Sequence, residues 1–168
     1  TTGGISASQS LLSVTGSTVN SGASVTLRLT AKDAFGNTLN AGGSTVVFSA
    51  SGGSSTGTIG STTYVGSGIY EATFTGVVAG TATSIGATID GNVVTTTQPT
   101  VTVQPGAASK LAITTQPAAS SVSGVGFGLG VTVQDANSNT VTGYTGSVTV
   151  AIGTNAGPGG ALSGTASV

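Results

Sequence analysis

The chain has 168 residues, of which three are basic and four acidic, and it contains no His and no Cys. This inventory excludes a phosphate-binding basic patch, catalysis or metal binding through imidazole or thiolate, and disulfide staples. Charged residues make up 4% of the chain, against about 25% in an ordinary domain, so the surface must be wetted by Ser, Thr, Asn, Gln and backbone groups.

Leu11 to Val14 is the first predicted strand, and Gly16 to Gly22 is a turn-rich connection. Val25, Leu27, Leu29 and Ala31 then alternate with Thr26, Arg28 and Thr30, the pattern of a strand with one buried face. The segment Asp33-Ala34-Phe35-Gly36-Asn37 stops that strand through Asx hydrogen bonding and a Gly able to take positive φ. Val46, Phe48 and Ala50 resume the alternation, and the Gly/Ser stretch after them is expected to pack little. Tyr70, Ala72 and Phe74 share a face assigned to the core, because Glu71 lies on the other. Ala82 to Ile89 and Val93 to Val103 read as two further strands joined by Asp90-Gly91-Asn92, a strong hairpin signal. Gln104-Pro105-Gly106 closes a first domain, residues 1–104.

The segment Phe127 to Ile152 then repeats Val25 to Ala50, with Asp33 matching Asp135 and Asn37 matching Asn139 at a spacing of 135 − 33 = 102 residues. A second domain, residues 105–168, therefore opens with Leu111 and Ile113. It has Phe127, Leu129, Val131 and Val133 as its central strand and Val148, Val150 and Ile152 as the next. No apolar stripe of helical period occurs, and short alternating runs separated by turn signals predict an all-β chain of two tandem Greek-key β-sandwiches. By the repeat spacing nothing in the second domain corresponds to Gly66 to Val103, so it is expected to be truncated, completed either by further chain or by strands from another chain.

The candidate chemistry rests on four carboxylates, Asp33, Glu71, Asp90 and Asp135. Asp135-Ala136-Asn137-Ser138-Asn139 has the D-x-N-x-N opening of a calcium loop, which makes Asp135, Asn137 and Asn139 candidate calcium ligands. The later Gly and closing Glu of that loop are missing, and an Asx turn capping a strand uses the same residues. Asp33 and Asp90, which a Greek-key sandwich brings to one pole, form a second candidate pair. No other cofactor is implied. A glycosidase-type carboxylate pair at that pole would need a cleft and aromatic platforms, and Phe35 is the only aromatic residue nearby, so an enzyme is not expected. Lys32 and Lys110 raise a Lys to Asn cross-link, against which both read as solvated strand-end lysines. The loop at Asp135 should face back toward the first domain, among the Gly16 to Gly22 and Gly76 to Gly80 loops and the Gln104 to Gly106 linker.

VTLRLTAKDAFGNTLN (25–40), followed by GIYEATFTGVVAGTATSIGATIDG (68–91), resembles the bacterial immunoglobulin-like (Ig-like) domains of the invasin and intimin type, which form tandem stalks in surface adhesins. KLAITTQP (110–117) and VTVQDANSNTV (131–141) resemble the related repeats of very large secreted bacterial proteins. The second copy departs from the pattern at Asn137-Ser138-Asn139, where the family has Gly beside the Asn, which leaves its turn type open.

The resemblance implies an extracellular, non-enzymatic spacer or filament-building module. Its partners would be neighbouring Ig-like domains of the same or identical chains, up to a homo-oligomer or filament. The alternative is a binding module that recognises carbohydrate or a host protein through loops at one pole. That reading calls for clustered aromatic or Arg anchors, whereas Tyr64 and Tyr144 stand apart in the sequence. Nucleic acid is not an expected partner. Nor is membrane insertion, since no run of about 20 apolar residues occurs. The opening TTGGISASQS has neither the basic start nor the apolar stretch of a signal peptide and reads as the interior of a longer secreted chain.

Overall fold

A computed structural model describes residues 3–154 and 161–162, and in it the alternating segments form strands, with no helix among the described residues. The strands are β1 (Leu11–Val14), β2 (Thr18–Asn20), β3 (Ser24–Thr30), β4 (Val46–Ser51), β5 (Thr56–Ile59), β6 (Thr63–Gly66), β7 (Ile69–Val78), β8 (Thr83–Ile89), β9 (Asn92–Val93), β10 (Thr100–Gln104), β11 (Lys110–Thr115) and β12 (Gly130–Gln134). The first ten form two sheets, one in the order β1-β3-β7-β5 with β6 also on β7, the other in the order β2-β10-β8-β4 with β9 also on β8. This is the strand order of an Ig-type sandwich. The first edge strand changes sheets at Gly16, so that β1 pairs with β3 while β2 runs parallel to β10.

The alternation read from the sequence places the core. Leu27, Leu29 and Ala31 point inward from and just after β3, and Tyr70, Ala72 and Phe74 do so from β7. They meet Val46 and Phe48 of β4, Ile85, Ala87 and Ile89 of β8, and Val101 and Val103 of β10. Leu27, Leu29, Phe74 and Ile85 are fully enclosed, and each such side chain contributes about 1.5–3 kcal/mol through removal of apolar surface from water. On the outer face Arg28 and Glu71 are directly opposite in register, and Arg28 Nε donates to Glu71 Oε1 at 2.8 Å. Both are partly exposed, so the pair contributes at most about 1 kcal/mol.

In the first sandwich the structure departs from expectation in four places. The Gly/Ser stretch after Ala50 contains β5 and β6, both paired with β7, and Ser55 before them is buried, its Oγ accepting the Val103 N–H at 2.9 Å. These strands lack an apolar period because they pack through small residues: a Cβ added at Gly57 would collide with the Phe74 ring and the Thr75 carbonyl. The Gly16 to Gly22 connection likewise holds β2, whose single buried residue is Val19. Val93 to Val103 is not one strand. After β9 the chain leaves the ladder and rejoins it at β10, and Pro99, which has no N–H to give a ladder, offers its carbonyl to the Ile85 N–H at 2.8 Å. Tyr64 does not stand apart, since its ring lies 5.1 Å from that of Tyr70, tilted by 54°. The Asp90-Gly91 hairpin forms as expected, with φ of 48° and 82° at its two central residues, the primed turn that matches strand twist.

In the second unit β11 and β12 pair antiparallel, with Leu111 opposite Val133 and Ile113 opposite Val131. Val148, Val150 and Ile152, expected as the next strand, are in no strand and are exposed, as are Leu111 and Ile113. Among the described residues no second sheet faces this two-stranded ribbon, which by itself cannot bury both of its faces.

Candidate functional site

β3 and β12 both run into the same five-residue loop. In the first copy the Asp33 N–H donates to the Asn37 carbonyl at 2.9 Å, the Gly36 N–H to the Asp33 carbonyl at 3.0 Å, and the Asn37 N–H to Asp33 Oδ1 at 2.9 Å. In the second, Asp135 N to Asn139 O measures 2.9 Å, Ser138 N to Asp135 O 3.1 Å, and Asn139 N to Asp135 Oδ1 2.8 Å. The departure from Gly does not change the turn. Ser138 takes φ 71° where Gly36 has 83°, a conformation that strains an L side chain. The Lys110 ammonium closes the loop with a 2.7 Å hydrogen bond to Ser138 Oγ, which places that lysine on a serine rather than an asparagine.

What distinguishes the second loop is its seat on the first sandwich, among the three segments expected as neighbours of Asp135. Asn139 Oδ1 accepts the Ala79 N–H at 2.8 Å, and its Nδ2 shares its two hydrogens among the Val77 carbonyl at 2.8 Å, Ser21 Oγ at 3.0 Å and Asp135 Oδ2 at 2.9 Å. Asn137 Nδ2 donates to the same Ser21 hydroxyl at 2.7 Å, and that hydroxyl donates on to the Val77 carbonyl at 2.9 Å. The linker joins in, since the Gly106 N–H donates to Asp135 Oδ2 at 2.8 Å. Asn139 is buried here whereas its counterpart Asn37 is exposed, while Asp135 and Asp33 are both buried within their own loops.

The Asp135 carboxylate meets N–H groups on both oxygens: Asn139 N on Oδ1, and Asn139 Nδ2 and Gly106 N on Oδ2. Burial pushes its pKa up. The hydrogen bonds from the Asn139 side chain, Gly106 and the Asn139 backbone outweigh that and hold it at about 2. Asp33 is also lowered, chiefly by the Asn37 side chain, with burial opposing. As calcium candidates, Asp135 and Asn139 are therefore brought together with donors already on the carboxylate, and Asn137 turns its amide nitrogen to Ser21. A cation would have to displace those N–H groups. Asp33 and Asp90 hold separate loops: Asp33 accepts from Gly3, Phe35 and Asn37, and Asp90 Oδ1 from Thr45 N at 2.7 Å, with no donor common to both. Among the described residues no three His, Cys, Asp or Glu side chains gather as a metal site.

Strand direction pointed to the receiving segments, but the individual receiving groups had no signal in the sequence. Val77 and Ala79 take part through backbone C=O and N–H, which any residue carries, and Ser21 is one hydroxyl among many.

Fold and loop together define an Ig-like β-sandwich module with a structured junction to the unit that follows. Residues 6–106 match the family described as invasin, domain 3, and the chain belongs to that family. Among solved structures it is similar to FdeC, an Escherichia coli adhesin, with 31% identity and a TM-score of 0.60, covering 83% of this chain and 45% of that one. It is also similar to the Yersinia pseudotuberculosis adhesin InvE, with 26% identity and a TM-score of 0.54, covering 67% of this chain and 31% of that one. Invasin, a bacterial integrin-binding protein, shares the fold at 21% identity and a TM-score of 0.60, over 84% of this chain and 29% of that one. The chain thus spans less than half the length of each of these proteins. No curated protein matches it in sequence.

Proposed function

We propose that the chain is a non-enzymatic spacer of a bacterial cell-surface adhesin, contributing length and a fixed angle between successive Ig-like units. The observation that carries this reading is the seating of the Asp135 to Asn139 loop on Ser21, Val77 and Ala79. A flexible tether needs no amide hydrogen-bonded on both sides to the preceding sandwich, as Asn139 is, whereas a stiff rod does need a contact that resists bending. Sandwich strands of about ten residues at 3.3 Å each give roughly 30 Å of length per unit. The adhesin nature of FdeC and InvE supports the cell-surface setting.

Because the chain has no Cys, spin labels can be placed cleanly at Thr73→Cys on the first sandwich and Thr114→Cys on the second unit. The spacer reading predicts one narrow distance distribution between them, broadened by Asn139→Ala. A broad distribution in the parent protein would refute it.

A further inference from the structure

Between the starts of β4 and β6, edge strands of opposite sheets in the first sandwich, lies a cavity of about 260 Å³, walled by Ser44, Thr45, Val46, Thr62, Tyr64 and Tyr70. Its tyrosine wall is fixed in place. Tyr64 Oη donates to the Asn40 carbonyl at 2.9 Å and accepts the Gly68 N–H at 3.3 Å, and Gly42 lies so close to the ring that an added Cβ would collide with it. Tyr70 is only 4% exposed, and its hydroxyl accepts the Ser44 N–H at 3.3 Å. A phenol also carries a proton to donate, and that proton has no acceptor among the described residues. Ser44 and Thr45 are hydrogen-bonded through their backbones, to Tyr70 Oη and to Asp90. Their hydroxyls, and that of the half-buried Thr62, have no partner among the described residues.

We propose that this cavity binds a single uncharged sugar ring. Its chemistry selects the ligand. Residues 34–70 contain no Asp, Glu, Lys or Arg, so an ionic ligand finds no counter-charge in the wall. The Asp90 carboxylate, which accepts the Thr45 N–H at 2.7 Å, is not part of the wall and adds a charge that anions avoid. Four hydroxyls around an aromatic and aliphatic floor suit a ring that carries hydroxyls on its rim and C–H groups on its faces. Each Ser or Thr hydroxyl both donates and accepts, as a sugar hydroxyl does, and the Tyr70 proton gains the acceptor it lacks. A purely apolar ligand would leave these groups unpaired in a closed space. The volume lies just below the roughly 300–1,000 Å³ of sites for drug-sized ligands, which limits the occupant to one ring. A neighbouring unit seated as the second unit is seated would leave the cavity open. Among the described residues, hydrogen bonds to the first sandwich run from Asn137 and Asn139, and none from Thr145, Gly146 or Ser147, the counterparts of Gly43, Ser44 and Thr45. The inference is independent of the spacer reading.

The test titrates the isotope-labelled full chain with the methyl glycosides of glucose, galactose and mannose, and with cyclohexanol as a ring that lacks the rim of hydroxyls. At least one glycoside should shift the amides of Ser44, Thr45 and Tyr64 to saturation with a single Kd, while those of β8 and β11 stay in place. Cyclohexanol should not. Tyr70→Phe keeps the buried ring and removes only the hydroxyl, and should weaken that Kd by roughly three- to tenfold. Thr62→Val, outside the core cluster and of the same shape, should weaken it in the same direction, and serves as the second variant if Tyr70→Phe disturbs the fold. The absence of saturable shifts with all three glycosides would overturn the inference. So would a Kd unchanged in both variants, or equal shifts with cyclohexanol.

Discussion

Asn139→Ala removes the side chain that joins the second unit to the first, and its effect can be worked out bond by bond. The Val77 carbonyl keeps a partner, because the Ser21 hydroxyl still donates to it at 2.9 Å. The Ser21 hydroxyl keeps the Asn137 amide at 2.7 Å. Asp135 loses one donor of three and retains Gly106 N and Asn139 N. The Ala79 N–H loses its acceptor outright, and a part-buried donor left without a partner costs about 1–3 kcal/mol. The junction should therefore open more often by roughly 5- to 150-fold, read as that loss of amide exchange protection at Ala79. Amides of β3 and β7 around Leu27 and Phe74 should be unaffected, since the core does not include the loop. Unchanged protection at Ala79 in the variant would show that the hydrogen bond does not hold the junction.

Four further outcomes follow from the same geometry. The Asp135 pKa is lowered from 3.8 to about 2, so its contribution to the junction is complete above pH 3.8 and lost as pH falls through 2. The label distance distribution should accordingly be narrow at pH 5 and broad below pH 2. Ser138→Gly relieves a positive φ at the loss of one exposed hydrogen bond, and should stabilise the second unit by about 0.5–1 kcal/mol in thermal unfolding. Gly57→Ala forces a methyl group against the Phe74 ring and the Thr75 carbonyl and should cost about 1–3 kcal/mol in urea unfolding of the first sandwich. Calcium should leave both the melting temperature and Ala79 exchange unchanged, because N–H donors occupy the Asp135 oxygens; a chelator-reversible rise would contradict this.

The central strands were legible because both of their faces speak in the sequence. Leu27 and Leu29 alternate with Arg28, and Tyr70, Ala72 and Phe74 alternate with Glu71. β2, β5 and β6 were not legible, since runs of three or four residues with one or two apolar side chains each are too short to show a period, and their pairing is dictated by the neighbouring strand. The repeat alone locates Asp135 at the junction, because strand direction in a sandwich decides which pole a loop occupies. It could not tell a cation loop from a capped turn. Asp and Asn oxygens serve both, and the difference lies in whether N–H groups already face them. Val148 to Ile152 alternate as a strand would, yet alternation forms a strand only where a neighbour completes the ladder.

As a spacer, the chain would hold successive units at a fixed angle through the Asp135 loop. Residual dipolar couplings measured separately for β3, β7 and β8 of the first sandwich and for β11 and β12 of the second unit test it most directly. A fixed junction predicts one alignment tensor, equal in magnitude and orientation for both sets of amides. A markedly smaller tensor for the β11 and β12 amides would mean that the second unit swings freely, and the spacer reading would be wrong.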